Sequence, residues 1–281
     1  MLLRKIKRLS EEFKLYWSVF QKKALIVRYY NKILNVGDDL NQDIIEHYSG
    51  KKAVNPIYSN HLPHILMVGS VIDGINKNST VLGSGLICKT RLNSKIEARH
   101  IAAVRGPLTL KEINKWSTDE FDVPLGDFAL LMPRIYSPLK EKTHRFGLVL
   151  HYVDENHPIK ETVLSMGGRI INVRQKAKSF IDEITSCEAI ISSSMHGLIL
   201  SDAYKIPNKW LVLSDGLIGG DFKFNDYYAT TDGRNESPCK VGNLIKPEDI
   251  DKVLLETKVN RYVHDLDKLE KLLIEQINKV I

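Results

Sequence analysis

Ser192, Ser193, Ser194 and His196 lie between a short apolar run, Ala189-Ile190-Ile191, and an apolar-periodic segment from Leu198 to Tyr204 that Ile206-Pro207 ends. The order reads as strand, polar turn, helix. It places three hydroxyls and an imidazole at the carboxyl end of a parallel strand, with Gly197 beside them. Free backbone N–H groups and the positive end of a helix dipole converge at such an edge, so an anion, phosphate or carboxylate, suits it. The same residues serve equally well as a helix cap and a packed histidine. Asn35, Asp38 and Asp39 fall in a turn after the buried-strand run Ala24–Val27, again at a strand's carboxyl end. One of these aspartates is expected to be a plain N-cap, but not both. Arg105 follows the run Ile101–Val104 and precedes Gly106-Pro107. There it can grip an anion as a two-pronged donor, or pair with an acid such as Asp127. His151 ends the run Phe146–Leu150, and Lys223 lies in a stretch with Gly216, Gly219 and Gly220 that suits a mobile cover.

The elements that must position these residues alternate strand with helix. In the first half the strand runs are Ala24–Val27, Ile65–Val68, Thr80–Leu82 and Ile101–Val104, with helices predicted over Leu40–Tyr48 and Pro107–Ile113. Pro133 to Thr143 has no apolar period and reads as a linker. The second half supplies strands at Phe146–Leu150, Arg169–Val173, Ala189–Ile191 and Lys209–Leu213, and a helix over Phe180–Ser186. From Pro247 the pattern is helical, and Leu266, Leu269, Leu273 and Ile277 form a seam for a last helix. The expectation is an α/β protein of two doubly wound, Rossmann-like domains facing a cleft. Residues 23–138 would form the first domain and 139–281 the second.

Residues 1–22 stand apart. Leu2, Ile6, Leu9, Phe13, Tyr16 and Phe20 make an amphipathic seam, and Arg4, Lys5, Lys7, Arg8, Lys14 and Lys22 face only Glu11 and Glu12. This basic helix, with Trp17, is expected either to lie on an anionic membrane face or to pack on its own domain, the final helix offering a matching stripe. It lacks the continuous apolar core of a signal peptide, and no run of the chain has the roughly 20 apolar residues of a membrane span.

At 281 residues, burial of a core is not limiting, and 43% hydrophobic with 26% charged residues is globular composition. A net charge of +6 favours an anionic partner. No nucleic-acid-binding motif accompanies it, so no nucleic acid is expected. Three widely spaced cysteines, Cys88, Cys187 and Cys239, indicate neither a disulfide framework nor a metal cluster, and they fit a reducing cytoplasm. No His/Cys set has metal-ligand spacing, so no metal is expected.

The words around these residues resemble those of the polysaccharide pyruvyl transferase family. Ser192 to Ile199 is similar to its SS-x-x-HG-L-I signature, and Asn35 to Asn41 to its N-x-GDD-L-N motif. Gly83-Ser84-Gly85, Val104 to Thr109, Gly126 to Leu131, His151 to Asp154 and Phe222 to Tyr227 follow in the family's order. The resemblance spans residues 24 to 230 and is nearest to enzymes that put pyruvate ketals on succinoglycan-like polysaccharides. It departs at Ser194, where many members carry arginine.

The resemblance implies a GT-B-like fold, with phosphoenolpyruvate as donor substrate and no further cofactor. The acceptor would be a sugar diol, on a polysaccharide or a lipid-linked precursor at the inner face of the cell membrane. On that reading His196 binds phosphate and donates a proton, with His151 as a second acid. Arg105, Ser192, Ser193, Ser194 and Gly197 surround the donor, and Lys223 replaces the missing arginine. Asn35, Asp38 and Asp39 hold acceptor hydroxyls, and one of the two aspartates acts as base. A nucleotide-sugar glycosyltransferase and a non-catalytic anion-binding module are the competing readings.

Overall fold

A computed structural model describes residues 2–56, 59–89, 92, 95–138, 141–242 and 245–280, of which residues 2–8 and 280 are described by backbone alone. In chain order the first half contains α1 (Leu2–Phe20), β1 (Ala24–Ile26), α2 (Val36–Ser49), β2 (Lys52–Val54), β3 (His64–Leu66), β4 (Ser79–Leu82), β5 (His100–Ala103), α3 (Pro107–Trp116) and α4 (Met132–Ile135). The second half contains β6 (His144–Leu150), α5 (Ile159–Ser165), β7 (Arg169–Asn172), α6 (Ala177–Thr185), β8 (Cys187–Ser192), α7 (Met195–Ala203) and β9 (Asn208–Val212). It closes with α8 (Phe222–Tyr228), β10 (Cys239–Lys240), α9 (Pro247–Leu255) and α10 (Leu266–Val280).

All strand pairs within the sheets are parallel. β1 pairs with β2, and β3, β4 and β5 pair in that order. A parallel bridge between Val27 and Ile65 brings these two groups side by side. The second half forms one sheet in the order β10-β9-β8-β6-β7. Parallel sheets are covered by helices on both faces, so their strands read as continuous apolar runs, as β6 does from Phe146 to Leu150.

Three apolar clusters account for most of the interior. One is built from the first half around Val81, Ile101, Val104 and Ile113, with Phe222 of the second half packed against it. A second belongs to the second half alone, around Phe146, Leu148, Ile191 and Leu211. The third is shared: Leu40 and Ile44 of α2, Phe180 of α6, Leu198 of α7, Trp210 and Phe224, and Leu269, Leu273 and Ile277 of α10 pack in one body. Apolar packing therefore runs without a break between the halves. The predicted linker begins inside α4, and its residues 139 and 140 lie outside the described ones.

Several boundaries differ from the sequence expectation in ways that matter for the site. α2 starts at Val36, four residues early, because Asn35 caps it by accepting a hydrogen bond from Gly37 N. Asp38 and Asp39 thus sit in its first helical turn, not in the turn before it. α7 starts at Met195, so His196 is also helical. Lys223 lies on α8, not on a loop, and only residues 214–221 remain of the expected cover. The short strands β2 and β10 gave no apolar signal of their own.

The terminal helices part company. α10 packs on α2 and on the turn at Phe128–Leu131, its apolar seam fully used. α1 instead rests on β1 through Leu15 and Val19, against Ala24, Ile26 and Val54. That leaves Leu9, Phe13, Trp17 and Phe20 exposed by 50–77%, with the three aromatic rings stacked in a row. Pairing of the α1 seam with the last helix is therefore not what the fold contains. No helix among the described residues is long and apolar enough to cross a membrane.

Because Leu273 is fully buried in the shared cluster, Leu273→Ala is expected to lower unfolding free energy by about 2–5 kcal/mol. Denaturant unfolding checks this; a loss below 1 kcal/mol would mean the last helix is only loosely seated.

Candidate functional site

The carboxyl ends of β1, β3, β6 and β8 face a common pocket of about 330 Å³, at the lower end of the range for small-molecule sites. The first half lines it with Tyr30, Asn35, Asp38, Gly69, Ser70 and Asp73, the second with His151, Tyr152, Ser194, His196, Ile218 and Lys223. Of the residues singled out in the sequence, the fold brings Asn35, Asp38, His151, Ser194, His196 and Lys223 to this wall. It takes Asp39, Arg105, Ser192, Ser193 and Gly197 elsewhere.

Arg105 is buried completely, and its guanidinium is fully engaged. It donates from Nε to Asp226 Oδ2 at 3.1 Å, from Nη1 to Ser70 Oγ at 2.7 Å and from Nη2 to Leu86 O at 2.7 Å. A Cβ on Gly85 would fall 2.2 Å from its Cζ, so only glycine leaves room for it. Its acid partner is Asp226 on α8, 3.0 Å away, and not Asp127. Arg105 is thus a strut below the pocket whose nearest route to a ligand is Ser70.

The three serines divide similarly. Ser192 Oγ donates to Ser194 O and accepts from Ser194 N, closing the turn on itself. Ser193 Oγ donates to Asp154 Oδ2 and accepts from His151 N, and Ser214 Oγ donates to the other Asp154 oxygen. Only Ser194 reaches the pocket, at the N-cap of α7 and free of any cap bond. Gly197 lies behind it, where a Cβ would strike Ser192 Oγ at 2.5 Å. Asp39 caps the neighbouring helix: it accepts from Ala177 N and pairs with Lys176 Nζ at 2.7 Å. The two adjacent aspartates therefore split, one into a clasp with α6 and one into the pocket.

Burial sets the charge of what remains. Lys223 is pushed down to about 8 by burial and then by Arg105, yet it stays protonated at neutral pH. It has no carboxylate within ion-pair reach among the described residues, so it is the pocket's uncommitted cation. Asp38 is raised to about 7 by burial, against the hydrogen bond it accepts from Tyr30 N. His151 and His196 are each lowered to about 3, first by burial and then by nearby cations, so both rings are neutral. Neither is an imidazolium in the ligand-free site.

One pair was not foreseen. Asp127, completely buried and raised to about 6 by burial, holds Ala129 N with Oδ1. Its Oδ2 faces His196 Nε2 at 3.8 Å, and among the described residues neither atom has another partner. Leaving two such groups unpaired costs about 1–3 kcal/mol each. The imidazole's Nδ1–Cε1 edge lies over Gly37, where a Cβ would come within 2.1 Å of Nδ1. The signal for Asp127 was its place in Gly126-Asp127-Phe128, a segment that resembles a family word, but only the fold sets it opposite His196.

Residues 10–212 match the family described as polysaccharide pyruvyl transferase. The chain is 28% identical over 234 residues to the uncharacterized protein L143 of Acanthamoeba polyphaga mimivirus, covering 80% of each. It is also 28% identical over 207 residues to the succinoglycan biosynthesis protein ExoV of Rhizobium meliloti, which takes in 70% of this chain and 61% of that protein.

The contrast between Arg105 and Lys223 is testable by stability. Asp226→Ala strands the buried guanidinium and is expected to cost about 3–5 kcal/mol in a thermal or denaturant melt. Lys223→Ala strands no partner and should cost less, within about 2 kcal/mol of the parent for the packing lost with its buried stem. The reverse ranking would make Lys223 the strut and Arg105 the free cation.

Proposed function

We propose, on the premise that the chain belongs to the polysaccharide pyruvyl transferase family, that it transfers pyruvate from phosphoenolpyruvate onto a sugar diol of a surface polysaccharide, forming a ketal. The observation that carries the reading is Lys223, a buried cation with no carboxylate within ion-pair reach among the described residues, beside Ser194 and the open start of α7. Together they suit a small, multiply charged anion. The pocket's modest volume favours such an anion over a nucleotide sugar. The two halves of the chain then correspond to the acceptor and donor sides of a GT-B-like arrangement.

In the reaction, C3 of the enol gains a proton, and C2 develops positive charge as the first sugar hydroxyl attacks and gives up its proton. The second hydroxyl then displaces phosphate, giving up its own proton to restore the acid, and leaves methyl, carboxylate and two sugar oxygens on C2. The first step needs an acid and a base with separated pKa values. Asp38, which keeps its proton near neutral pH, is the acid in this reading, and neutral His196 takes the hydroxyl proton. Lys223 holds the donor's anionic groups, helped by Ser70 and Ser194. Asn35 and Tyr30 line the acceptor side, and neutral His151 orients rather than protonates.

Lys223→Ala is expected to weaken phosphoenolpyruvate binding about 10- to 100-fold, as for a lost charge-assisted hydrogen bond, with the effect shrinking at high salt. Calorimetry reads this directly, and an unchanged affinity removes Lys223 from the donor site. The acid assignment predicts a pH profile. Asp38 is active while protonated, so kcat/KM should fall as pH rises through about 7. In Asp38→Asn that limb should vanish, leaving the one near 8 where Lys223 loses its proton. Persistence of the lower limb in the variant would assign it to another group.

We also propose that the acceptor is lipid-linked and that α1 touches an anionic membrane face. The exposed Leu9, Phe13, Trp17 and Phe20 supply the apolar side. Each basic residue near such a surface adds about 1 kcal/mol within a Debye length. Because Leu15 and Val19 are packed, the test is Phe13→Ser with Trp17→Ser and Phe20→Ser rather than removal of the helix. The parent should co-sediment with phosphatidylserine vesicles in a salt-sensitive way, and the triple variant should stay in solution. Equal recovery of both in the supernatant would sink the membrane contact.

A further inference from the structure

Asp127 and His196 face each other with atoms that have no other partner among the described residues. Asp127 Oδ1 is fixed by the Ala129 N–H at 2.9 Å, and that bond anchors the buried turn Phe128–Leu131. The carboxylate therefore cannot swing, and its Oδ2 is aimed at His196 Nε2, 3.8 Å away. A water between them would need the two atoms about 4.5 Å or more apart, since each hydrogen bond spans about 2.8 Å. The gap is too long for a good direct bond and too short for a bridged one. A shift of about 1 Å in the imidazole would close it to ordinary hydrogen-bond length. The other ring edge lies over Gly37 at the pocket, where any side chain would collide with it.

We infer that Asp127 is a positioning residue that holds His196 as the Nε2–H tautomer, so that Nδ1 presents its lone pair to the acceptor hydroxyl. This rests on the pyruvyl-transfer reading above and adds to it the group that makes the base a base. A carboxylate accepts and cannot donate, so the nitrogen it faces carries the proton and the remote nitrogen is free to receive one. When Nδ1 takes the hydroxyl proton, the ring becomes an imidazolium and its new charge falls beside Asp127. The proton passes from the sugar oxygen to Nδ1 as the C2–O bond forms, and it leaves Nδ1 later with phosphate. The logic is that of a base oriented by a third group.

The isosteric change Asp127→Asn inverts the arrangement. Ala129 N–H still requires the amide oxygen, so the amide nitrogen takes the place of Oδ2 and donates to Nε2. His196 must then carry its proton on Nδ1, facing the substrate. Nitrogen-15 NMR of the imidazoles reads the tautomer without any turnover. The parent should show His196 protonated on Nε2, and the variant on Nδ1 with its melt little changed. Turnover in the variant should fall by about 100-fold or more, the scale for losing general-base action, with the donor KM within a few-fold. A parent already protonated on Nδ1 would overturn the inference, as would a variant that switches tautomer yet turns over normally. If the parent transfers no pyruvate but the tautomer still switches, the family-level reaction is wrong for this chain while the positioning by Asp127 stands.

Discussion

The ion pair of Arg105 and Asp226 holds the rest of the site in place. Both side chains are fully buried, and each nitrogen of the guanidinium and each oxygen of the carboxylate has a partner. The arginine spends its remaining donors on Ser70 and Leu86, and the aspartate also accepts from Thr109 N and Thr109 Oγ1. Arg105 follows β5 in the first half, while Asp226 sits on α8 in the second. Burying two charges is not itself a source of stability; the Coulombic gain is offset by desolvation. What the pair supplies is geometry. Once the charges are dry, each must find the other, so α8 can dock in only one register.

That register sets the chemistry of the pocket. Lys223 is one turn before Asp226 on α8, so fixing the aspartate below the pocket projects the lysine towards it. The arginine's charge nearby then lowers the lysine's affinity for its proton, after burial has done most of the work. A cation with no carboxylate in ion-pair reach among the described residues, Asp154 acting on it only at longer range, gains from an incoming anion what it lacks in the resting protein. The clasp between Asp39 and the start of α6 plays a comparable part on the other wall, pinning the first turn of α2 so that Asp38 points inward.

The pocket thus separates its titratable groups by burial rather than by direct pairing. Asp38 is pushed up and the two histidines down, so a protonated carboxyl and neutral imidazoles coexist near neutral pH. Such separation is what the proposed addition to an enol would require, because proton delivery and proton removal occur on opposite partners in one step. The close approach of Gly37 to His196 joins the two sides: the helix carrying Asp38 begins against the imidazole edge.

Most strands and helices were legible in the chain, α4, α5 and α8 excepted, because parallel strands buried on both faces are short apolar runs and most of their helices carry caps and periodic stripes. β2, with an exposed Lys52, and β10, of two residues, lacked that signal and are strands only because a partner sits beside them. The list of chemically able residues was legible too, since it follows from residue types at strand ends. What each does was not. Ser192, Ser193 and Ser194 are identical in sequence, and so are the carboxylates of Asp38 and Asp39. Of these, only Ser194 and Asp38 face the pocket, because a single helical turn or a single bond to a distant N–H decides where a side chain points. Arg105 stood open between a ligand and an acid, and its acid proved to be Asp226, 121 residues away. Contacts at that separation are fixed by how two sheets pack, which leaves no trace in local spacing. Strand and helix periods are short-range properties that the amino-acid order carries by itself; tautomer, pKa and partner depend on burial and distance, which exist only once the chain has folded.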